Sequence, residues 1–400
     1  MNEFEKRAIV YACACHALIH ILELTYGTVL AGIREEFGAG FLLSGVLANV
    51  FGFAFGFAAL PVGVLADRLD ERRLLMFCSL GMGLASIGIG LAPNTYALGA
   101  ALLLLGLALG IFHPVSSAFV ARVIRNRGMG YAYLGVGGNI GLAAGPILAG
   151  SIASLWGWRA SYLVFAVPAL VLAVLFRSFS RAELGPGIEP RATEGAGKGE
   201  LRAYAIPLSL ILFGAVMNGF IYRGAMTFLP VYLSERVAVG VFDLDMLFVA
   251  GSFTTLALLF GVLGQFLGGS LSEKRRREVV ALLSATATVP LLLVVSFTTE
   301  APLMLGAAGF AFFHFMGQPV YNALVADYSP AHWRGRLFGI YFFCTFGVGS
   351  FSATLLGYVA EAYGMEQVFT TSAGFGVLVA LATAILLVRA VRGKGIRPVQ

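Results

Sequence analysis

In a chain dominated by apolar residues, the few side chains able to carry a proton or hold a charge fall at regular intervals. His16, His20 and Glu23 recur at i, i+4 and i+7, which puts all three on one helix face about 10 Å long. Such a row can take up and release a proton. Imidazole changes charge near neutrality, and a poorly hydrated carboxylate holds its proton tightly until a cation approaches and loosens it. Arg223 is the one such cation inside an apolar stretch, beside Asn218 and Tyr222. His314, Gln318 and Asn322 form another polar stripe at i, i+4 and i+8, and His113 stands in a further apolar stretch. A guanidinium grips a carboxylate or phosphate through two parallel hydrogen bonds. Arg223 with His113 and His314 therefore suits an anionic group, with Asn218, Tyr222, Gln318 and Asn322 as further binding candidates.

The elements that must hold these residues are set by composition. With 58% hydrophobic and 12% charged residues and a mean hydropathy of +0.86, the chain has too few polar side chains to cover a water-facing surface. In lipid, every backbone donor and acceptor must be paired within helices or a closed barrel, and the short alternating segments of a barrel are missing. About a dozen apolar stretches are long enough to cross a roughly 30 Å hydrocarbon core. They lie near 8–32, 40–65, 74–92, 95–121, 129–153, 160–177, 203–233, 243–271, 278–297, 301–327, 335–361 and 366–389. An ionisable group at membrane depth costs about 2.5–3.5 kcal/mol on insertion scales, so the row in the first stretch and Arg223 in the seventh should face a shared watery chamber or a partner.

Charge also predicts orientation. With both termini inside, cytoplasmic loops hold all of the 27 Lys and Arg except Arg34, Arg159, Arg223 and Arg236, the pattern expected of a cytoplasmic-membrane protein. The pI near 9.2 then follows from short inner loops and needs no nucleic acid. Cys13, Cys15, Cys78 and Cys344 lie in apolar stretches without metal-ligand spacing and read as small buried hydrophobes. The first apolar run follows charged residues and shows no cleavage site, so no signal peptide is expected. Phe51, Phe53, Phe55 and Phe57, spaced by two on the second stretch, read as lipid or packing contacts.

The halves of the chain look alike. Phe112-His113, then Gly128 and Gly130, a glycine-studded run to Gly150 and Trp156-Gly157-Trp158-Arg159 are echoed about two hundred residues later. The echo runs through Phe312 and His314, Arg334-Gly335-Arg336, a second glycine-studded run to Gly357 and Tyr363-Gly364-Met365. Two such repeats, joined by the hydrophilic stretch 178–202, divide the chain into bundles at 1–177 and 203–400 whose meeting place is the expected binding site.

The loop Gly63-Val64-Leu65-Ala66-Asp67-Arg68-Leu69-Asp70-Glu71-Arg72-Arg73 resembles the signature between the second and third helices of the major facilitator superfamily. Its weaker counterpart is Gly269-Ser270-Leu271-Ser272-Glu273-Lys274-Arg275-Arg276. Gly137-Gly138-Asn139, Gly141 and Gly145-Pro146 resemble the G-x-x-x-G-P motif of drug:proton antiporters in that superfamily. With His16, His20, Phe112-His113-Pro114, Ala326-Asp327-Tyr328-Ser329-Pro330 and Arg334-Gly335, they are similar to its fosmidomycin-resistance branch. The resemblance implies an all-α membrane protein of twelve transmembrane helices in two pseudo-symmetric six-helix bundles. The first, fourth, seventh and tenth helices would line a central cavity. It also implies a monomeric, proton-coupled carrier of a small solute in the lipid bilayer, and an exporter.

Gly63, Asp67, Arg68 and Arg72 would then latch one side, and Gly145 and Pro146 would permit a bend. Glu23 with His16 or His20 would carry the proton, Arg223 moving towards or away from it. No nucleophile-base pair or metal cluster is recognisable, so neither enzyme nor cofactor is expected. Repeated halves also argue against a channel, which needs a repeated filter. An uptake symporter, a uniporter or a sensor without flux are the other readings open to this scaffold.

Overall fold

The computed structural model describes residues 1–65, 70–179, 198–237, 244–330 and 333–392. Among these, twelve helices are long and apolar enough to cross a membrane: Glu3–Thr28, Phe41–Val62, Glu71–Gly90, Thr95–Val120, Gly128–Trp156, Trp158–Ser178, Tyr204–Arg236, Met246–Lys274, Arg277–Phe297, Glu300–Asp327, Gly335–Tyr363 and Glu366–Val391. They are called the first to twelfth spans. An even count places both chain ends at one face, here the terminal face; residues 29–40 mark the opposite face. The expected linker falls largely on residues outside those described.

Local chemistry sets the ends. The first span begins at Glu3, earlier than its apolar run suggests, because the Asn2 side chain accepts from the Glu5 amide while the Glu5 carboxylate accepts from the Asn2 amide. That reciprocal cap satisfies two amides a helix start leaves unpaired. The first span also stops earlier, at Thr28, and a separate short helix, Leu30–Phe37, follows after Val29 leaves helical geometry. Asp70 and Asp245 cap the third and eighth spans through their carboxylates.

Each half repeats the other. The fifth and eleventh spans both end on a glycine with positive φ, Gly157 at 81° and Gly364 at 102°, where a side chain would strain the backbone. At the terminal face Glu71 of the third span pairs with Arg122 of the fourth at 2.6 Å. In the other half Arg277 of the ninth pairs with Asp327 of the tenth. At the opposite face Glu36 pairs with Arg159 at 2.6 Å, echoed by Arg236 with Glu366 at 3.0 Å. Both of these pairs recur with their charges exchanged.

The halves meet through small residues. A Cβ on Gly27 would lie 2.0 Å from the Met226 carbonyl oxygen, joining the first span to the seventh. One on Gly45 would lie 2.1 Å from the Ala353 carbonyl and one on Gly357 2.5 Å from the Phe41 carbonyl, joining the second to the eleventh. One on Gly251 would lie 2.3 Å from the Pro146 carbonyl, joining the eighth to the fifth. The Glu361 carboxylate accepts the Leu42 amide at 3.0 Å, covering an unpaired amide at the start of the second span. All these contacts lie toward the opposite face.

Close backbone approach through glycine is how membrane helices associate without a hydrophobic drive between them. Gly45→Val should therefore force the second and eleventh spans apart, with an overpacking cost of about 1–3 kcal/mol. A cysteine placed at Ala353, which is fully buried, should then react with a membrane-impermeant thiol reagent faster than it does with Gly45 intact.

Candidate functional site

Glu23 lies in the first span with its side chain 1% exposed. Its Oε1 accepts from the Tyr222 hydroxyl at 3.1 Å and sits 3.6 Å from Arg223 Nη2, both on the seventh span and so from the other half. Its Oε2 lies 3.0 Å from His20 Nδ1. His20 Nε2 in turn faces His16 Nε2 at 3.2 Å, and His16 Nδ1 donates to the Leu134 carbonyl at 2.7 Å.

That chain of contacts fixes where hydrogens can be. A carbonyl only accepts, so His16 Nδ1 carries hydrogen; an ionised Glu23 only accepts, so His20 Nδ1 does too. Each neutral ring then keeps its lone pair on Nε2, and two lone pairs point at one another across 3.2 Å. One further proton on the row relieves this repulsion, either shared between the two rings or carried by Glu23 with His20 in its other tautomer.

Arg223 is buried, and its Nε and Nη2 have no hydrogen-bond partner. The guanidinium stands 5.3 Å above the Phe51 ring, within cation–π range. It fits because residue 52 is glycine: a Cβ there would lie 3.0 Å from Arg223 Nε. Buried donors without hydrogen-bond partners are rare in folded proteins; here Nη2 has only its ion pair with Glu23.

The row continues on both sides. The His113 ring lies 5.3 Å from that of His16 and 5.9 Å from that of His20, extending the network to the fourth span. The His314 ring stacks on Tyr222 at 6.3 Å with 8° between planes, extending it to the tenth. His113, His16, His20, Glu23, Arg223, Tyr222 and His314 thus form one line through the first, fourth, seventh and tenth spans. Phe55, Phe342 and Phe346 flank it, with His113 stacked over Phe342 at 6.3 Å and Phe55 at 5.2 Å from Phe346.

The chain matches the family model described as the Major Facilitator Superfamily over residues 12–354 and again over 247–398. It belongs to the major facilitator superfamily. Its sequence is 28% identical over 335 residues to the multidrug resistance protein MdtG of Yersinia enterocolitica, covering 81% of this chain and 79% of that one. It is 24% identical over 368 residues to the fosmidomycin resistance protein of Escherichia coli, covering 88% and 86%. In fold it is similar to a bacterial homologue of the human lysosomal transporter Spinster in an inward-facing, occupied conformation, with a TM-score of 0.80, 15% identity and full coverage of both chains.

As a transporter of this superfamily the chain distributes its other candidate residues as follows. Asn218 lies beside the Tyr321 hydroxyl. Gln318 accepts from Gln265 of the eighth span at 2.9 Å, and Asn322 lies a turn further on the tenth span, half-buried. These three stand apart from the row. Asp67 and Arg68 lie outside the described residues, and the helix carrying Gly63 ends just before them. Arg72 approaches Asp70 at 3.6 Å and donates to the Phe179 carbonyl, both within its own half. Gly145 packs against Ile21, while Ile147, next to Pro146, donates its amide to Thr255 of the eighth span at 3.0 Å. The glycine-proline pair is thus a crossing point between halves.

Three features escaped the sequence. Phe51 and Phe55 face the site rather than lipid: a spacing of two alternates faces on a helix, so these two share one side while Phe53 and Phe57 take another. Phe343–Gly347 of the eleventh span form a π-helical turn beside the row, an irregularity that residue types do not announce. His113 joins His16 and His20 only through tertiary packing.

Removing one partner of a buried ion pair strands the other. Arg223→Gln should cost about 3–5 kcal/mol of stability, measured as thermal or denaturant unfolding in detergent. The double variant Glu23→Gln with Arg223→Gln should cost less than Arg223→Gln alone.

Proposed function

We propose that the chain is a proton-coupled carrier of a small organic anion, working as a monomer by alternating access in a bacterial inner membrane with both termini cytoplasmic. The observation that carries this reading is the Glu23–Arg223 pair between the halves, with unused donors on Arg223 and a histidine row on Glu23. The Lys and Arg excess in the terminal-face loops supports the orientation. Asn218, Gln318 and Asn322 would meet the solute nearer the terminal face.

The coupling follows from competition. Arg223 can neutralise the Glu23 carboxylate or a solute anion, and holds either poorly when it must hold both. A proton on Glu23, delivered through His20 and His16, removes the competitor and frees the guanidinium. Proton and anion therefore bind best together. Reopening the terminal face with neither bound restores the pair, which makes the empty site stable enough to return. Among the described residues, Tyr222 and His113 complete the charged and titratable surroundings of Glu23, and neither adds a second carboxylate.

One proton moving with one monovalent anion transfers no net charge, so the membrane potential does not drive it. Each pH unit supplies about 1.36 kcal/mol, a tenfold solute gradient. A second reading is exchange of an outward solute for an inward proton, favoured by the drug-resistance names of the relatives. There a cationic or amphipathic solute would compete with the proton for Glu23.

The test begins with thermal stabilisation of purified protein by organic anions, phosphonates, lysolipids and cationic drugs. A labelled hit is then followed in chelator-treated proteoliposomes. Acid outside should drive about tenfold accumulation per pH unit, insensitive to membrane potential, and Glu23→Gln should abolish accumulation while leaving counterflow. Net efflux of preloaded solute under the same gradient would establish exchange instead. Accumulation undiminished in Glu23→Gln would remove the proton from Glu23.

A further inference from the structure

We propose that His16, His20 and His113 form a binding site for a single first-row transition-metal dication, for which Zn²⁺ is the natural probe. The inference goes beyond the transport reading and requires no particular solute.

One ligand nitrogen from each of the three histidines lies within 4.8 Å of the other two. His16 Nε2 and His20 Nε2 are 3.2 Å apart. Two zinc–nitrogen bonds of about 2.0–2.1 Å at a tetrahedral angle place their nitrogens about 3.3 Å apart. The first two ligands therefore already stand at nearly the separation a metal requires. His113, from the fourth span, needs only a ring adjustment to supply a third.

The outer contacts are those of a metal site. Ligating histidines usually donate their second N–H to a carboxylate or a backbone carbonyl, which fixes the tautomer and raises ligand basicity. Here His20 Nδ1 faces the Glu23 carboxylate and His16 Nδ1 the Leu134 carbonyl. Both arrangements turn the Nε2 lone pair inward. The ring of His16 is further held by the fifth span: a Cβ on Gly138 would lie 2.5 Å from His16 Cε1, so glycine there allows the helix to lie against the imidazole.

The opposed lone pairs give the site its purpose. With Glu23 ionised and no cation between them the two nitrogens repel; a metal relieves the repulsion as a shared proton does, and with a stronger bond. Three neutral imidazoles select Zn²⁺, Cu²⁺, Ni²⁺ or Co²⁺ over the oxygen-seeking Mg²⁺ and Ca²⁺. Three protein ligands also leave a fourth position open.

The experiment uses full-length protein in detergent with any purification tag removed, at equilibrium and without a gradient. Co²⁺ should bind at one equivalent with the visible absorption of a tetrahedral nitrogen site. Zn²⁺ should displace it and raise the unfolding temperature, and Mg²⁺ should do neither. His16→Gln, His20→Gln and His113→Ala should each weaken binding at least about tenfold, as even outer contacts do when lost, while His314→Ala leaves it unchanged. His113→Cys should keep the metal and add a sulfur-to-cobalt charge-transfer band, which only direct ligation produces. Unfolding curves without metal show whether each variant is folded.

Absence of saturable binding at one equivalent would overturn the proposal. So would binding that survives His16→Gln and His113→Ala together, or a folded His113→Cys variant without the new band. Because the transport assays run with chelator present, loss of this proposal leaves the carrier reading standing, and the converse holds.

Discussion

A carboxylate and a guanidinium buried together between two bundles impose the main constraint on this molecule. Moving one such ion from water to an apolar interior costs several kcal/mol even after relaxation, and only a well-placed partner offsets it. Glu23 and Arg223 meet at 3.6 Å with almost no exposure, one from each half of the chain. Any motion that separates the halves must either leave two bare charges or change a charge state. Ion pair and halves are thereby tied together, and in the proposed cycle the proton is what makes separation tolerable.

The neighbours of the pair reinforce this. Tyr222 and His20 saturate the carboxylate, whereas Arg223 keeps unbonded donors. The acid is hydrogen-bonded on both oxygens and the base only ion-paired, an asymmetry that, on the proposed function, would direct an incoming anion to the arginine. Around this centre, twofold repetition supplies rigid walls. The ion pairs at both faces recur with exchanged charges, so each bundle is tied by the same electrostatic device without the same residues. The approaches through Gly27, Gly45, Gly251 and Gly357 bring the halves together toward the opposite face.

Much of this was legible in the sequence. Apolar run lengths give the twelve spans, because lipid allows few alternatives to a helix. The i, i+4, i+7 spacing gives the His16, His20 and Glu23 row, since one helix fixes their relative places. What crosses between helices was less accessible. That Arg223 meets Glu23 was foreseeable only as the shared cost of two buried charges. That His113 closes a cluster with His16 and His20 has no signal in spacing at all. Phe51 and Phe55 are packing contacts, as expected, but helical periodicity divides the four phenylalanines between two faces and sets these two beside the row. The repeat was visible in glycines and aromatics, which keep their identity, and hidden in the ion pairs, which exchange theirs. Gln318, a polar residue on a lining helix, also bonds within its own half, to Gln265, a contact that spacing along one helix does not announce.

The central claim is that the charge state of Glu23 decides whether the halves stay paired, and it is tested most directly by a distance. Spin labels at Met129 and Lys274, exposed positions at the terminal face on the fifth and eighth spans, report the separation of the halves by pulsed electron–electron double resonance in a background without native cysteines. The account predicts that lowering the pH shifts this distance distribution in the parent protein, and that Glu23→Gln holds one distribution at every pH. A full pH response retained in Glu23→Gln, or none in the parent, would contradict it.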